Sequence, residues 1–379
     1  MTAATPASPD LQQTPLHTLH LEQGARMVPF AGYDMPVQYP LGVKAEHLHT
    51  RKQAGLFDVS HMGQLLLKGE KAGEWLESLV PVDIIDLPAG RQRYALFTNE
   101  QGGIMDDLMV SRFADDCLYL VVNAACKEQD IDHLQSHLSG DIQLERLDNR
   151  ALLALQGPEA AEVLGRFAPE VRSMIFMDSR RVAIEGIECF VSRSGYTGED
   201  GYELSVPACE SEKIGRLLLE QPEVELIGLG ARDSLRLESG LCLYGHDITP
   251  STTPVEASLT WAISTVRRTG GARAGGFPGA DIVLRQIATK AFQNRRVGLS
   301  GSSRAPVREG TILMNAEGET IGRVTSGTFG PTVGRPVAMA YLAKDYAAIN
   351  TEVFASVRGK ALPMTVSKMP FIEQRYYRG

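Results

Sequence analysis

Apolar positions in this chain recur with two different periods, and the switches between them outline the fold. Residues 14–39 are broken by prolines and carry no clean period. VKAEHLHTRKQAGLFDVSHMG reads as a helix ending near Gly55, then a turn into a strand, and GQLLLKG predicts a short strand. EKAGEWLESLVP places Trp75, Leu76 and Leu79 on one helical face. The run RQRYALFTNEQGGIMDDLMVSRFADDCLYLVVNAA predicts successive strands joined by turns at NEQGG and ADD, and KEQDIDHLQSHL predicts the next helix.

The pattern starts over at Arg150. ALLALQGPEAAEVLGRF predicts strand, turn and helix; RRVAIEG and ECFVSRSGYTGEDGYELSVP predict antiparallel strands. SEKIGRLLLE and ARDSLRLESG predict helices, the second stopped by Gly240. After the glycine-heavy stretch 266–280, the text from about Gln293 is short strands and turns, the spacing of a small β-barrel or sandwich. Helices mixed with hairpins argue for α+β rather than a doubly wound sheet.

Composition narrows the class. With 379 residues, 43% hydrophobic, the chain is long enough for two or three cores without disulfides or metals. The net charge of -8 and the lack of a basic run argue against nucleic acid as a partner. Five cysteines, none spaced as C-x-x-C, argue against a disulfide framework or a cysteine zinc site. The start, MTAATPASPDLQQTP, reads as a disordered lead-in with neither a cationic nor an apolar segment. With no apolar run long enough to span a bilayer, the expected setting is a reducing cytoplasm and no membrane.

Four segments could carry chemistry. In GGIMDDLMV, strand alternation sends Asp106 and Asp107 to opposite faces, so only one can line a cavity unless the strand is bulged. The pattern does not say which, and solvated hairpin carboxylates are the commoner reading of the pattern alone. In SGYTGEDGYELSVP, Tyr202, Leu204 and Val206 share one face, with Glu203 on the other. Glu203 is either a plain exposed carboxylate or a pocket acceptor for paired N–H donors. In ARDSLRLESG, Arg232 gains nothing from the helix dipole at that end, which hints at a carboxylate partner, and a structural salt bridge would explain it equally. LCLYGHDITPSTTPVEASLTWAI is a long, turn-rich loop of the kind that often carries function. There is no dinucleotide fingerprint, Walker A, H-E-x-x-H or G-x-S-x-G motif, and His47 and His49 cannot chelate from one helical face.

Taken together, TPLH, FAGYDMPVQY, GLFDVSHMGQ, GGIMDDLMV, LALQGP, GYTGEDGYE, ARDSLRLESGLCLYGHDI, TTPVEASLTWA and VSKMPF resemble, in order from about residue 14 to the C-terminus, the glycine cleavage T-protein family of aminomethyltransferases. The resemblance implies a three-domain cloverleaf around a central tetrahydrofolate channel. Residues 14–58 with 148–255 would form one domain, 59–147 with 256–285 a second and 286–379 the barrel, after a lead-in over 1–13. It implies a reaction in which a lipoylated H protein presents an aminomethyl group, ammonia leaves and 5,10-methylenetetrahydrofolate forms, with no metal and no nucleotide. The P and L proteins of the same system are further implied partners. Asp107 matches the family's key aspartate, with Asp106 left as the outward or structural member of the pair. Glu203, Arg232 and Tyr376 match its folate-binding residues, and Met62, Tyr94, Asn123 and Tyr196 match further pocket positions.

Three rivals stay open. Folate domains of sarcosine or dimethylglycine oxidases carry a flavin domain, for which this chain has no fingerprint. The folate-dependent iron–sulfur assembly factor carries a K-G-C-Y-x-G-Q signature that is absent here. A non-enzymatic folate-binding module would have no need to keep Asp107, Glu203, Arg232 and Tyr376 together.

Overall fold

The computed structural model describes residues 11–379; most of the expected lead-in, residues 1–10, lies outside the described residues. Two sheets share the first part of the chain. A six-stranded sheet contains Ala54–Asp58, Arg150–Gln156, Ser179–Ile184, Ile187–Ser192, Gly201–Pro207 and Val224–Leu226. A five-stranded antiparallel sheet contains Gly63–Lys68, Gln92–Thr98, Ile104–Ala114, Cys117–Val122 and Gln143–Arg146. The chain leaves the first sheet at Asp58, enters the second at Gly63, and returns between Arg146 and Arg150. The second sheet is therefore an insertion between two hydrogen-bonded neighbours of the first, since Ala54–Asp58 pairs with Arg150–Gln156.

Alternation makes three apolar layers. Leu56, Leu153, Leu155, Tyr202, Leu204 and Val206 bury the outer face of the first sheet. Leu65, Phe97, Leu108, Val110, Leu118 and Val122 bury the outer face of the second, under the helix Lys127–Ser136. Phe57, Leu152, Ala154 and Phe190 meet Leu66, Met109, Tyr119 and Val121 between the sheets. Side chains that oppose the outer layers are delivered into this inter-sheet space, and that is where the polar chemistry collects.

From Asn294 the chain forms a closed six-stranded barrel around Leu299, Leu313, Val324, Ala340, Val353 and Val366. It docks on the helix Leu229–Glu238. Glu238 accepts hydrogen bonds from the backbone of Thr332 and Val333, and Arg236 bridges Asp247 (2.6 Å) and the Ser326 hydroxyl (2.9 Å). These buried ions sit in complete hydrogen-bond sets, which is the condition for tolerating their desolvation.

The fold is mixed α/β with a C-terminal barrel, as expected, but two local features differ. The helix expected across EKAGEWLESLVP spans only Ala72–Glu77, and the Glu77 carboxylate at its end accepts from the backbone N–H groups of Ile84 and Ile85. A helix, Ala280–Thr289, follows the glycine-heavy stretch where the sequence reading assigned none.

Candidate functional site

The site begins at the hairpin before Asp107. Asn99 accepts hydrogen bonds from the backbone of Gln101 and Gly103 through its side-chain oxygen, and Gly102 takes a φ of 75°, which favours glycine. A Cβ on Gly103 would sit 1.8 Å from the Pro250 carbonyl, so glycine there lets the long loop 241–263 lie against the hairpin. The register shifts by one residue opposite Thr98, so Met105 is bulged out and Ile104 falls on the same face as Asp107, Tyr94 and Leu96.

The two aspartates do point to opposite faces. Asp107 is half-buried and faces the inter-sheet space, whereas Asp106 is fully buried. Of the two roles expected for Asp106, outward or structural member, the outward one is excluded, because its face of the strand is the one packed under the helix Lys127–Ser136. Asp106 accepts from the Asn123 backbone N–H (3.1 Å) and side-chain nitrogen (2.9 Å). The same Asn123 nitrogen donates to Asp107 Oδ1 at 2.8 Å and to the Asp107 carbonyl at 3.0 Å. Burial and the neighbouring Asp106 charge raise the Asp107 carboxyl to about 7, against the lowering effect of Tyr94 and Asn123.

Across the space lies Tyr196, whose hydroxyl donates to the Cys242 carbonyl and whose electrostatic surroundings include both Asp107 and Arg232. The Arg232 guanidinium lies 4.7 Å over the Tyr196 ring. Among the described residues no carboxylate forms an ion pair with Arg232, so neither the expected carboxylate partner nor a salt bridge is found among them. Burial lowers its basicity, offset in part by Tyr196 and Glu203. Glu203 opposes Tyr202 and Leu204 as alternation requires, accepts from Ser194 at 3.1 Å, and is pushed up by burial. Beside it is a cavity of about 10 Å³, room for one water. Met62 packs in the inter-sheet layer with Ala231 and Leu235 and lines a larger, polar cavity of about 460 Å³ that also meets Tyr33, Gln64, Lys127 and Arg150.

Thus Asp107, Tyr94, Asn123, Tyr196, Arg232, Glu203 and Met62 are gathered around the inter-sheet space. Tyr376 stands apart. Its ring stacks on Phe176 at 4.1 Å, in a tail pinned by Arg375 N–H to the Gly198 carbonyl and by Gln374 to the Ser239 carbonyl. Among the described residues it makes no hydrogen bond or ring contact with the Asp107 group.

Three neighbours are not singled out as site residues by the sequence, although Trp261 lies in the long loop and His61 reads as structural or hydrogen-bonding. Trp261 is 63% exposed and stacks on Tyr94 at 5.2 Å. His61 is buried with an unpartnered Nδ1, and burial pushes it down to about 3. Asp130 is fully buried beside Asp106. Only Asp130 left a readable sign: it shares a helical face with Ile131 and Leu134, and a carboxylate on an apolar stripe is unusual.

Comparison with known proteins bears on this geometry. A family model described as GCVT N-terminal domain matches residues 16–267, and one described as Glycine cleavage T-protein C-terminal barrel domain matches residues 294–373. The chain is 44% identical to an aminomethyltransferase of Dictyostelium discoideum, over 98% of this chain and 94% of that protein. It is 46% identical to one from Canis lupus familiaris, over 97% and 91%. The crystal structure of glycine cleavage system aminomethyltransferase T from Bartonella henselae superposes with a TM-score of 0.91 at 43% identity, covering 97% of this chain and all of that one. Both curated relatives are named mitochondrial, which overturns the expected cytoplasmic setting. That expectation rested on the cysteine count, the composition of the N-terminal stretch and the lack of a long apolar run, none of which carries an address by itself.

Proposed function

This chain belongs to the glycine cleavage T-protein family, and we propose that it is the system's aminomethyltransferase, with Asp107 as the carboxylate at the reacting nitrogen of tetrahydrofolate. The observation that carries this reading is the Asp107 carboxyl itself, facing the inter-sheet space, bonded to Asn123 and raised to near neutrality. A carboxylate so tuned can take a proton at physiological pH and return it within a turnover.

The donor is an aminomethyl group on the sulfur of a lipoylated H protein. The carbon loses its bonds to sulfur and to the amine nitrogen and gains bonds to N5 and N10 of the folate. The two protons leaving those folate nitrogens end on the arm's thiol and on ammonia. Asp107 accepts one of them and stabilises positive charge on the migrating carbon. Glu203 accepts from the pterin edge, and Arg232, with no ion-pair partner among the described residues, receives a folate carboxylate. Tyr94, Tyr196, Met62 and Asn123 hold the acceptor in line, where positioning yields the largest gain. Tyr376 joins this set only if the C-terminal tail shifts when folate binds. The interleaved sheets support the division of the chain near 58/59 and 147/148, and the P and L proteins are proposed as further partners.

The test is a coupled assay with aminomethyl-loaded H protein, with and without tetrahydrofolate. Asp107→Asn is expected to retain folate binding by calorimetry and to lose methylenetetrahydrofolate formation. Undiminished formation by that variant would sink the assignment of Asp107.

A further inference from the structure

Behind the reacting carboxylate lies a second buried acid. Asp130, on the helix Lys127–Ser136, is fully buried, and no donor of the described protein reaches either of its carboxyl oxygens. The helix lies against the strand that carries Asp106, where Gln129 donates to the Met105 carbonyl at 3.4 Å, and Asp106 is the charged neighbour that raises the buried Asp130 carboxyl most. Asp106, in contrast, accepts two N–H bonds from Asn123. Two buried carboxyls so placed cannot both be charged at neutral pH without a large desolvation and repulsion cost. One proton must be shared, and the donors decide where it resides. Asp106 has two N–H groups that stabilise its anion, and Asp130 has none.

We propose that Asp130 stands as a neutral carboxylic acid donating its proton to Asp106, and that this bond makes it a positioning residue for Asp107 through Asn123. The chain of contacts is short. The Asp130 O–H holds Asp106, Asp106 orients the Asn123 amide, and the same amide nitrogen meets Asp107. Asp106 kept as an anion also supplies the like charge that raises Asp107. Removing the Asp130 donor therefore neutralises Asp106 and lets Asp107 ionise more easily. The other titratable groups around this chain are Tyr94 on the strand Gln92–Thr98, Tyr196 and Cys242 from the facing loops, and Cys126 and Tyr244 beside Asp106. All five are neutral at physiological pH, with burial raising each one, so none supplies a competing charge.

This inference rests on the proposed role of Asp107 only for its catalytic consequence; the position of the proton is a separate observable. Infrared spectra of the full chain at pH 8 are expected to hold the carbonyl band of a buried carboxylic acid, with a component lost in Asp130→Asn. A missing band in the wild type, or a band unchanged in Asp130→Asn, overturns the proposal whether or not the protein turns over. In the assay with loaded H protein and tetrahydrofolate, Asp130→Asn keeps a donor toward Asp106 and should retain at least about half of kcat, with the acid limb of the pH profile in place. Asp130→Leu should lose ~10-fold or more in kcat and move that limb down by about one unit. If Asp130→Leu fails to fold, Asp106→Asn removes the same charge in a near-isosteric side chain and should move the limb the same way. An unmoved limb in the folded variants, or equal losses in Asn and Leu, overturns the positioning role. A wild type with the infrared band but no turnover would instead overturn the reading of the activity.

Discussion

The side-chain nitrogen of Asn123 lies 2.8 Å from Oδ1 of Asp107 while it also donates to Asp106 at 2.9 Å. One primary amide thus ties together two carboxylates that strand alternation sends to opposite faces. It can do so because Asn123 follows directly on the strand Cys117–Val122, whose Val122 pairs with Leu108. Asn123→Leu removes a donor that favours the Asp107 carboxylate. Turnover is expected to fall ~10- to 100-fold. The Asn123 backbone N–H and the Asp130 donor still hold the Asp106 anion in this variant, so the acid limb of kcat should move to higher pH, opposite to the shift from removing the Asp106 charge. Comparing the two profiles separates hydrogen bonding from charge repulsion at one carboxyl.

Asp107 also makes a prediction about stability. A carboxyl raised in the folded state stabilises the fold below its unfolded value, near 4, and loses that contribution as pH rises toward about 7. Asp107→Asn removes a group whose ionisation the fold opposes. The variant should therefore be more stable than the wild type at pH 8, by about 1–2 kcal/mol, and close to it at pH 3.5. Thermal unfolding at both pH values reads this directly. A penalty at pH 8 would mean that Asp107 is held as an anion by groups other than those named here.

The sequence carried much of this and hid the rest for physical reasons. Tyr202, Leu204 and Val206 are core residues and Glu203 opposes them, as alternation alone requires, and the C-terminal strands close into a barrel. The interleaving of the two sheets was not legible, because Ala54–Asp58 finds its partner in Arg150–Gln156 across the whole inserted sheet. The choice between the outward and the structural reading of Asp106 was hidden for the same reason. What makes its face the inner one is a helix and an asparagine that follow later in the chain, and no local pattern reports them. The helix Ala280–Thr289 was lost in the shadow of the glycines before it, although Ile282, Val283 and Ile287 are spaced for one. The roles given to Arg232 and Tyr376 came from family resemblance, and only Arg232 stands with the Asp107 group in the chain as folded.

Arg232 lies over the Tyr196 ring without an ion-pair partner among the described residues. A planar guanidinium stacks and forks toward a carboxylate, and an ammonium does neither. Arg232→Lys should raise the KM for tetrahydrofolate by about 10-fold, with kcat changed by no more than about 3-fold. Equal losses in both would place Arg232 in the transition state rather than in ground-state binding.

The last prediction concerns the segment that precedes the first sheet. His20 Nε2 meets Asp58 at 2.8 Å, Tyr39 meets His20 Nδ1 at 2.9 Å, and Ser60 N–H donates to Asp58 at 2.9 Å, all in the interior. Burial raises the Asp58 carboxyl, yet His20, Ser60 and Thr14 outweigh it and hold the carboxyl below its ordinary value. A carboxyl lowered on folding gives stability that is present above its unfolded value, near 4, and is lost as pH falls through the folded one. Asp58→Asn should therefore cost more at pH 7 than at pH 3.5. The expected penalty at pH 7 is about 2–4 kcal/mol, since a buried donor set loses its anion. Urea unfolding at the two pH values checks it. A penalty independent of pH would show that Asp58 acts through packing, and that the anion contributes nothing to fastening residues 14–39 onto the sheet.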